Sequence, residues 1–287
     1  MQKIDRVEIR LLSQSDIPAA MKLKEAAGWN QTENDWRCLL KLEPNGCFAA
    51  VVDEELVGTT TTTSYGDQLA WIGMVLVQPD KRRMGIATKL MMTALDYLKP
   101  RVATVKLDAT AQGKPVYEKF GFQVESLVER WSGTVIPTTV ASQRAGVGLD
   151  SDTHRALLEI DLRAFDADRA SLVNDLVDRA FVSPALTRKD DGSLSGYALV
   201  RKGSNAEYVG PVVSTDHEQV GTLLDGVFSQ LNGRRLYIDF NTGCGIDSSL
   251  LADRGFVKER DLIRMSMGMP VRPTSALVVG IAGPEVG

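Results

Sequence analysis

Cysteine and histidine are scarce. The chain has three cysteines, Cys38, Cys47 and Cys244, and two histidines, His154 and His217, among 287 residues. The cysteines fall in no paired spacing and the histidines lie far from them in sequence, which excludes a disulfide framework and a Cys/His metal site, so no metal is expected. No uninterrupted apolar run reaches membrane-spanning length. The opening MQKIDRVEIRLL passes from charged residues straight into strand-like alternation, without the apolar core and small-residue cleavage site of a signal peptide. These absences lead to the expectation of a soluble protein of a reducing cytoplasm with no membrane partner. A surplus of positive charge is also missing: the formal net charge is -4. Nucleic acid is therefore not an expected partner, and any basic cluster is a local feature.

A hydrophobic fraction of 44% over 287 residues is ample for a buried core and divides naturally into two domains of ordinary size. The first half alternates strands and helices. Val7 to Leu12 reads as a strand, Ser13 and Ser15 offer caps for a helix that Gly28 stops, and Thr32 caps a second helix with Trp36 and Leu40 on its buried face. Cys47 to Val52 and Leu56 to Ser64 form a hairpin around Asp53-Glu54, and the nearly all-apolar Ala70 to Val77 reads as a central strand. From Gly85 the period changes, since Ile86, Leu90, Ala94 and Leu98 fall four apart on one helix face. Val102 to Leu107 is another buried strand, Pro115 and Gly121 bracket a short helix, and extended chain resumes at Phe122.

The second half repeats this outline. YVGPVVSTDHEQVGTLLDGVF, from Tyr208, parallels WIGMVLVQPDKRRMGIATKLM, from Trp71, and IDF with DRGF parallels LDA with KFGF. Residues 1–134 and 153–287 are read as two domains joined by a linker at 135–152. The apolar tail from Pro273 is expected to pack back on the body.

The most informative stretch is Val77 to Ala87, V-Q-P-D-K-R-R-M-G-I-A, between the central strand and the helix. Gly85 and Ala87 leave the backbone open to close approach. The first-turn N–H groups of Ile86, Ala87 and Thr88 lack intrahelical acceptors, and the helix dipole favours negative charge there. Lys81, Arg82, Arg83 and Lys89 add positive charge around one turn of an otherwise acidic protein. A pyrophosphate fits all of these conditions.

Val77-x-Pro79-x-x-Arg82-x-x-Gly85-x-Ala87 resembles the acetyl-coenzyme A signature of the GCN5-related N-acetyltransferase (GNAT) superfamily. Leu107 to Phe122, with Tyr117-Glu-Lys-Phe-Gly-Phe122, is similar to that superfamily's second signature. The second half resembles the degenerate C-terminal domain of a bacterial subgroup that includes the YitH-type and holothin acetyltransferase-like proteins. The resemblance implies tandem α/β folds, each a twisted, mostly antiparallel sheet with a central splay flanked by helices. It also implies acetyl-coenzyme A as cosubstrate and direct attack by a primary amine, on a small molecule or a peptide, without a covalent enzyme intermediate.

By the same resemblance, coenzyme contacts fall on Val75, Val77, Arg82, Arg83, Met84, Gly85, Ile86, Ala87 and Thr88, and Tyr117 is the proton donor to the departing thiolate. Thr110 stands where many relatives carry a coenzyme-contacting asparagine. The glutamate base some relatives carry in the central strand is missing from Ile72, Gly73 and Met74, which leaves Asp108 as a proton acceptor through water or merely a turn cap. Trp29 and Asn30, between the first two helices, border the acceptor in this superfamily, whereas Trp36 reads as core. In the second half Asp216 to Leu223 is acidic where a phosphate binder is basic, and Leu251 replaces the tyrosine, so that half is not expected to bind coenzyme A. The alternatives are a noncatalytic acyl-coenzyme A sensor, or a tandem synthase resembling mycothiol synthase. Either a monomer or a homodimer is compatible with two fused copies.

Overall fold

A computed structural model describes residues 7–135, 149–269 and 276–287. Its strands are β1 (Glu8–Leu11), β2 (Phe48–Val52), β3 (Glu55–Tyr65), β4 (Leu69–Val77), β5 (Thr104–Ala109), β6 (Gln123–Thr134), β7 (Ala185–Arg188), β8 (Leu194–Arg201), β9 (Glu207–Ser214), β10 (Arg235–Asn241), β11 (Val257–Gly268) and β12 (Val278–Gly280). The helices are α1 (Ile17–Ala26), α2 (Glu33–Leu42), α3 (Ile86–Leu98), α4 (Lys114–Glu118), α5 (Ser151–Phe165), α6 (Ala170–Asp178), α7 (Val220–Phe228) and α8 (Ser249–Ala252).

Local chemistry sets most of these boundaries. Before α1, Ser13 and Asp16 form a reciprocal capping box, with Ser13 N donating to Asp16 Oδ2 at 2.8 Å. Thr32 and Asp35 repeat the device at α2, at 2.7 Å. Asp53 and Glu54 both take positive φ and close the β2–β3 hairpin.

All twelve strands join one mixed, mostly antiparallel sheet in the order β1-β2-β3-β4-β5-β11-β6-β10-β12-β9-β8-β7. Two features of that order differ from a simple pair of domains. The last long strand of each half has crossed to the other half: β11 pairs with β5 through Ile263↔Ala109 to Gly268↔Thr104, and β6 pairs with β10 through Arg235↔Thr134 to Asn241↔Val128. Between them β6 and β11 pair antiparallel and form the seam. Strand β6 therefore runs to the end of the first half, with Gly133 opposite Leu236.

The exchange carries side chains into the opposite core. Met265 of β11 is buried with Leu90, Leu107 and Phe122 of the first half, and Trp131 of β6 is buried with Phe228, Ile238 and Phe256 of the second. Fully burying one such side chain contributes about 1.5–3 kcal/mol, so each half's core holds surface that only the other half supplies. A third cluster unites Trp36 and Leu39 of α2 with Leu157 and Ile160 of α5 and with Ile281 and Val286 of the tail. The tail does pack back on the body: Val278, Val279 and Ile281 are fully buried.

Candidate active site

Strands β4 and β5 run parallel, but they pair only at Leu69↔Thr104, Ala70↔Val105 and Trp71↔Lys106. Beyond Trp71 they part, and the opening is a cleft of about 510 Å³, counted with its mouth. Ile72, Gly73, Met74 and Val75 line it from β4, with Leu107, Asp108, Thr110 and Tyr117 from β5 and the segment after it.

Opposite the splay β4 carries a bulge. The register with β3 moves from Thr59↔Leu76 to Thr61↔Gly73, so Met74 and Val75 face a single residue, and Met74 takes φ +48°. Thr59 Oγ1 holds the bulge by donating to Met74 O at 2.8 Å. A bulge releases backbone polar groups from the ladder and aims them elsewhere, here along the wall of the cleft.

At its far end β4 leads through Pro79 into the α3 N-terminus. Gly85 sits at φ +80°, and a Cβ added there would meet no atom within 4 Å. The space in front of the free first-turn N–H groups is open, while Ile86 anchors the turn by burying its side chain against Leu90 and Ala94. Arg82 Nε donates to Val77 O at 3.1 Å, tying the basic loop to the end of β4, and Arg83, Met84 and Thr88 are exposed around it.

Two family models match the chain, "Acetyltransferase (GNAT) family" over residues 15–122 and "Acetyltransferase (GNAT) domain" over residues 157–278. The chain belongs to the GNAT acetyltransferase family. It carries two GNAT domains in tandem. An uncharacterized N-acetyltransferase, YitH of Bacillus subtilis, is 25% identical over 76% of this chain and 76% of its own length. The holothin acyltransferase of a Pseudoalteromonas species is 23% identical over 91% of this chain and 88% of its own. Among solved structures, a putative acetyltransferase from Pyrococcus horikoshii superimposes with a TM-score of 0.82 at 23% identity, covering 100% of this chain and 98% of that one. A tandem GNAT protein from the clavulanic acid biosynthesis pathway superimposes with a TM-score of 0.60 at 16% identity, covering 93% of this chain and 100% of that one. Both share the fold.

The two GNAT domains differ where a coenzyme would lie. In the second, β9 and β10 are the parallel pair, joined at Leu236↔Glu207 to Ile238↔Val209, and β12 occupies the opening beyond. It pairs with β9 at Val278↔Val213 and Gly280↔Val212 and with β10 at Phe240↔Gly280. The helix start is covered as well. A Cβ on Gly221 would lie 3.0 Å from Arg254 Nη2, and that guanidinium pairs with Asp225.

Tyr117 is half-buried in the first cleft, edge-on to Phe122 with ring centroids 6.2 Å apart. Its ring packs so closely on Gly113 that a Cβ there would fall 2.9 Å away. Burial pushes its phenol up to about 12, and its hydroxyl makes no hydrogen bond to a described residue. Thr110 lies beside it, with its Oγ1 accepting from Gly113 N at 3.2 Å, so part of its hydrogen-bonding capacity closes the turn before α4.

Two expectations change. Asp108 lines the cleft, but both its oxygens are held by Arg264 of β11, at 2.9 Å each, and both side chains are fully buried. Burial pushes the Asp108 carboxyl up against the pull of that guanidinium. One guanidinium thus occupies both carboxylate oxygens as a bidentate fork. Asn30 does not face the cleft. Its Oδ1 accepts from Asn205 N at 2.9 Å and Ala206 N at 3.1 Å, and its Nδ2 donates to Ala206 O at 2.9 Å, pinning the α1–α2 loop to the second domain. Trp29 and the next-but-one residue, Gln31, line the cleft instead.

Glu285 reaches the cleft from the tail and went unnoticed in the sequence. Its backbone crosses β4 so closely that a Cβ on Gly73 would fall 2.7 Å from Glu285 Cα and O. The carboxylate, 4% exposed, accepts from Gln31 Nε2 at 2.7 Å and Arg201 Nη2 at 3.1 Å, and burial pushes it above its ordinary value against the pull of Arg201. The available signal was a lone acid in an otherwise uncharged run, SALVVGIAGPEVG. Among the described residues no group of His, Cys, Asp and Glu could hold a metal ion, and no helix is long and apolar enough to cross a membrane.

Proposed function

We propose that the first domain binds acetyl-coenzyme A and transfers its acetyl group to a primary amine in a ternary complex. The observation that carries this is the open β4–β5 splay running from the Met74 bulge to the basic helix start at Gly85, with the Tyr117 hydroxyl uncommitted inside it. Arg82, Arg83, Met84, Gly85, Ile86, Ala87 and Thr88 present the pyrophosphate site through backbone N–H groups and positive charge, and Val75 and Val77 offer the β4 edge to the pantetheine. Backbone N–H at the bulge is the donor to the developing oxyanion. Tyr117 protonates the departing thiolate, for which a phenol raised to about 12 is neutral at working pH.

Glu285 takes the place of the missing strand base. It approaches Gly73 from the face opposite α3, the side on which Trp29 and Gln31 border the cleft, and its raised affinity for protons suits it to accept one from the amine, directly or through water. Thiol release measured over a panel of primary amines tests the reading. Turnover lost in Glu285→Gln and Tyr117→Phe with acetyl-coenzyme A binding retained supports it. Coenzyme binding without thiol release from any amine favours a noncatalytic acyl-coenzyme A binder.

A further inference from the structure

The acceptor end of the cleft contains two polar atoms that the protein itself leaves unpaired. Gln31 Oε1 and Arg260 Nε are both buried, both belong to residues lining the cleft, and neither has a hydrogen-bond partner among the described residues. Buried polar atoms are almost always satisfied, so two orphans on one cavity, an acceptor and a cationic donor, call for a ligand that supplies the complements.

Charge bookkeeping around the cleft singles out Arg260. Arg264 is committed to Asp108, Arg130 to Asp239, and Arg201 to Asp35 and Glu285. Arg260 makes no ion pair with a described residue, and burial together with the neighbouring Arg130 guanidinium lowers its proton affinity, a stress that an anion would relieve. Its place in β11 also sets its direction. Counting back by twos from Arg264, whose guanidinium lies over the Trp71 ring, through Leu262, buried in the same cluster as Trp71, reaches Arg260 on the same sheet face. Gln31, Trp29 and Glu285 border the cleft on that side, whereas Tyr117 packs with the α3 cluster.

Building on the acyl-transfer reading above, we infer that the acceptor is an amine bearing a carboxylate, as in an amino acid, and that Arg260 is the residue that selects it. The planar fork of a guanidinium matches a carboxylate in a bidentate pair, while Gln31 Oε1 and Glu285 stand ready for the N–H groups of the amine. A neutral amine would leave the buried Arg260 Nε without an acceptor. The selecting residue thus comes from the strand that the second domain contributes to the first domain's sheet.

The test uses free L-amino acids, their methyl esters and the decarboxylated amines with matched side chains as acceptors, with thiol release as the readout. The wild-type protein is expected to favour the free acids by at least about tenfold in kcat/KM, chiefly through KM. Arg260→Leu should erase that preference and Arg260→Lys should keep part of it, with melting temperature and acetyl-coenzyme A affinity showing that both variants are folded. Equal or better turnover of esters and amines by the wild type, or an undiminished preference in Arg260→Leu, overturns the inference and leaves acyl transfer standing. Amino-acid binding seen by calorimetry and lost in Arg260→Leu, with no thiol release from any amine, overturns acyl transfer and leaves the anion site standing. Neither binding nor release overturns both.

Discussion

Replacing Glu285 by glutamine removes a charge and keeps the shape, so activity and stability are expected to move independently. A positioned general base contributes about 10²–10⁴ in rate, equivalent to about 3–5 kcal/mol of transition-state stabilisation, and kcat/KM should fall within that range. The stability change has the opposite sign from that usual for a paired carboxylate. Glu285 binds its proton more tightly in the folded protein than the 4.5 of a free glutamate, so the folded state holds more protons through that window, and its ionisation lowers stability as pH rises from 4.5 through the folded value. Above the window the charged form is a cost that glutamine lacks. Arg201 is not stranded by the change, because it keeps Asp35 at 3.2 Å and Ala282 O at 2.6 Å. At pH 8 the variant is therefore expected to melt no lower than the wild type while losing at least about a hundredfold in kcat/KM. The acid limb of the wild-type pH profile should vanish with it. Wild-type kcat/KM in Glu285→Gln, measured by thiol release with a saturating coenzyme, would refute the assignment of Glu285 as proton acceptor.

Tyr117→Phe should lower kcat by about 10²-fold without changing acetyl-coenzyme A affinity, which separates loss of a proton donor from loss of binding. Arg264→Met leaves the Asp108 carboxylate buried without its partner, at a cost of about 3–5 kcal/mol in a urea melt. The double variant Arg264→Met/Asp108→Leu should recover most of that loss, and a double variant no more stable than the single one would contradict the pairing. At the β1 edge of the sheet, the hydrogen-bonded Arg10 guanidinium lowers Asp16 from 3.8 to about 2. Its contribution is present above 3.8 and lost as pH falls through about 2, and Asp16→Asn should flatten that part of the acid-stability curve.

The elements of the first domain and the open, basic turn before α3 were legible because their signals are local. Helical period from Ile86 to Leu98, capping residues at Ser13 and Thr32, and the small residues Gly85 and Ala87 each act within a turn or two of chain. Strand pairing is not local. Extended chain from Phe122 was readable, but an extended segment carries no information on its neighbours, so the exchange of β6 and β11 was invisible. Assignments that depended on partners distant in the chain shifted with them. Asp108 reads as a candidate base until Arg264, far along the chain, arrives opposite it, and Asn30 reads as an acceptor contact until the β8–β9 turn claims its carboxamide. Glu285 and Arg260 reach the cleft only through the folded course of the tail and of β11. The acidic segment at Asp216 is a local signal, whereas β12 lying between β9 and β10 in the second domain is a property of the sheet order that no local pattern carries.

The central claim is a single coenzyme site, in the first domain's splay and at its helix start. Titration calorimetry with acetyl-coenzyme A on the full chain tests it directly, using Gly85→Glu, which places a carboxylate in the open space before the α3 N-terminus, and Gly221→Glu, its counterpart at α7. The account predicts one molecule bound per chain, binding abolished by Gly85→Glu and unchanged by Gly221→Glu. Two molecules per chain, or undiminished binding in Gly85→Glu, would contradict it.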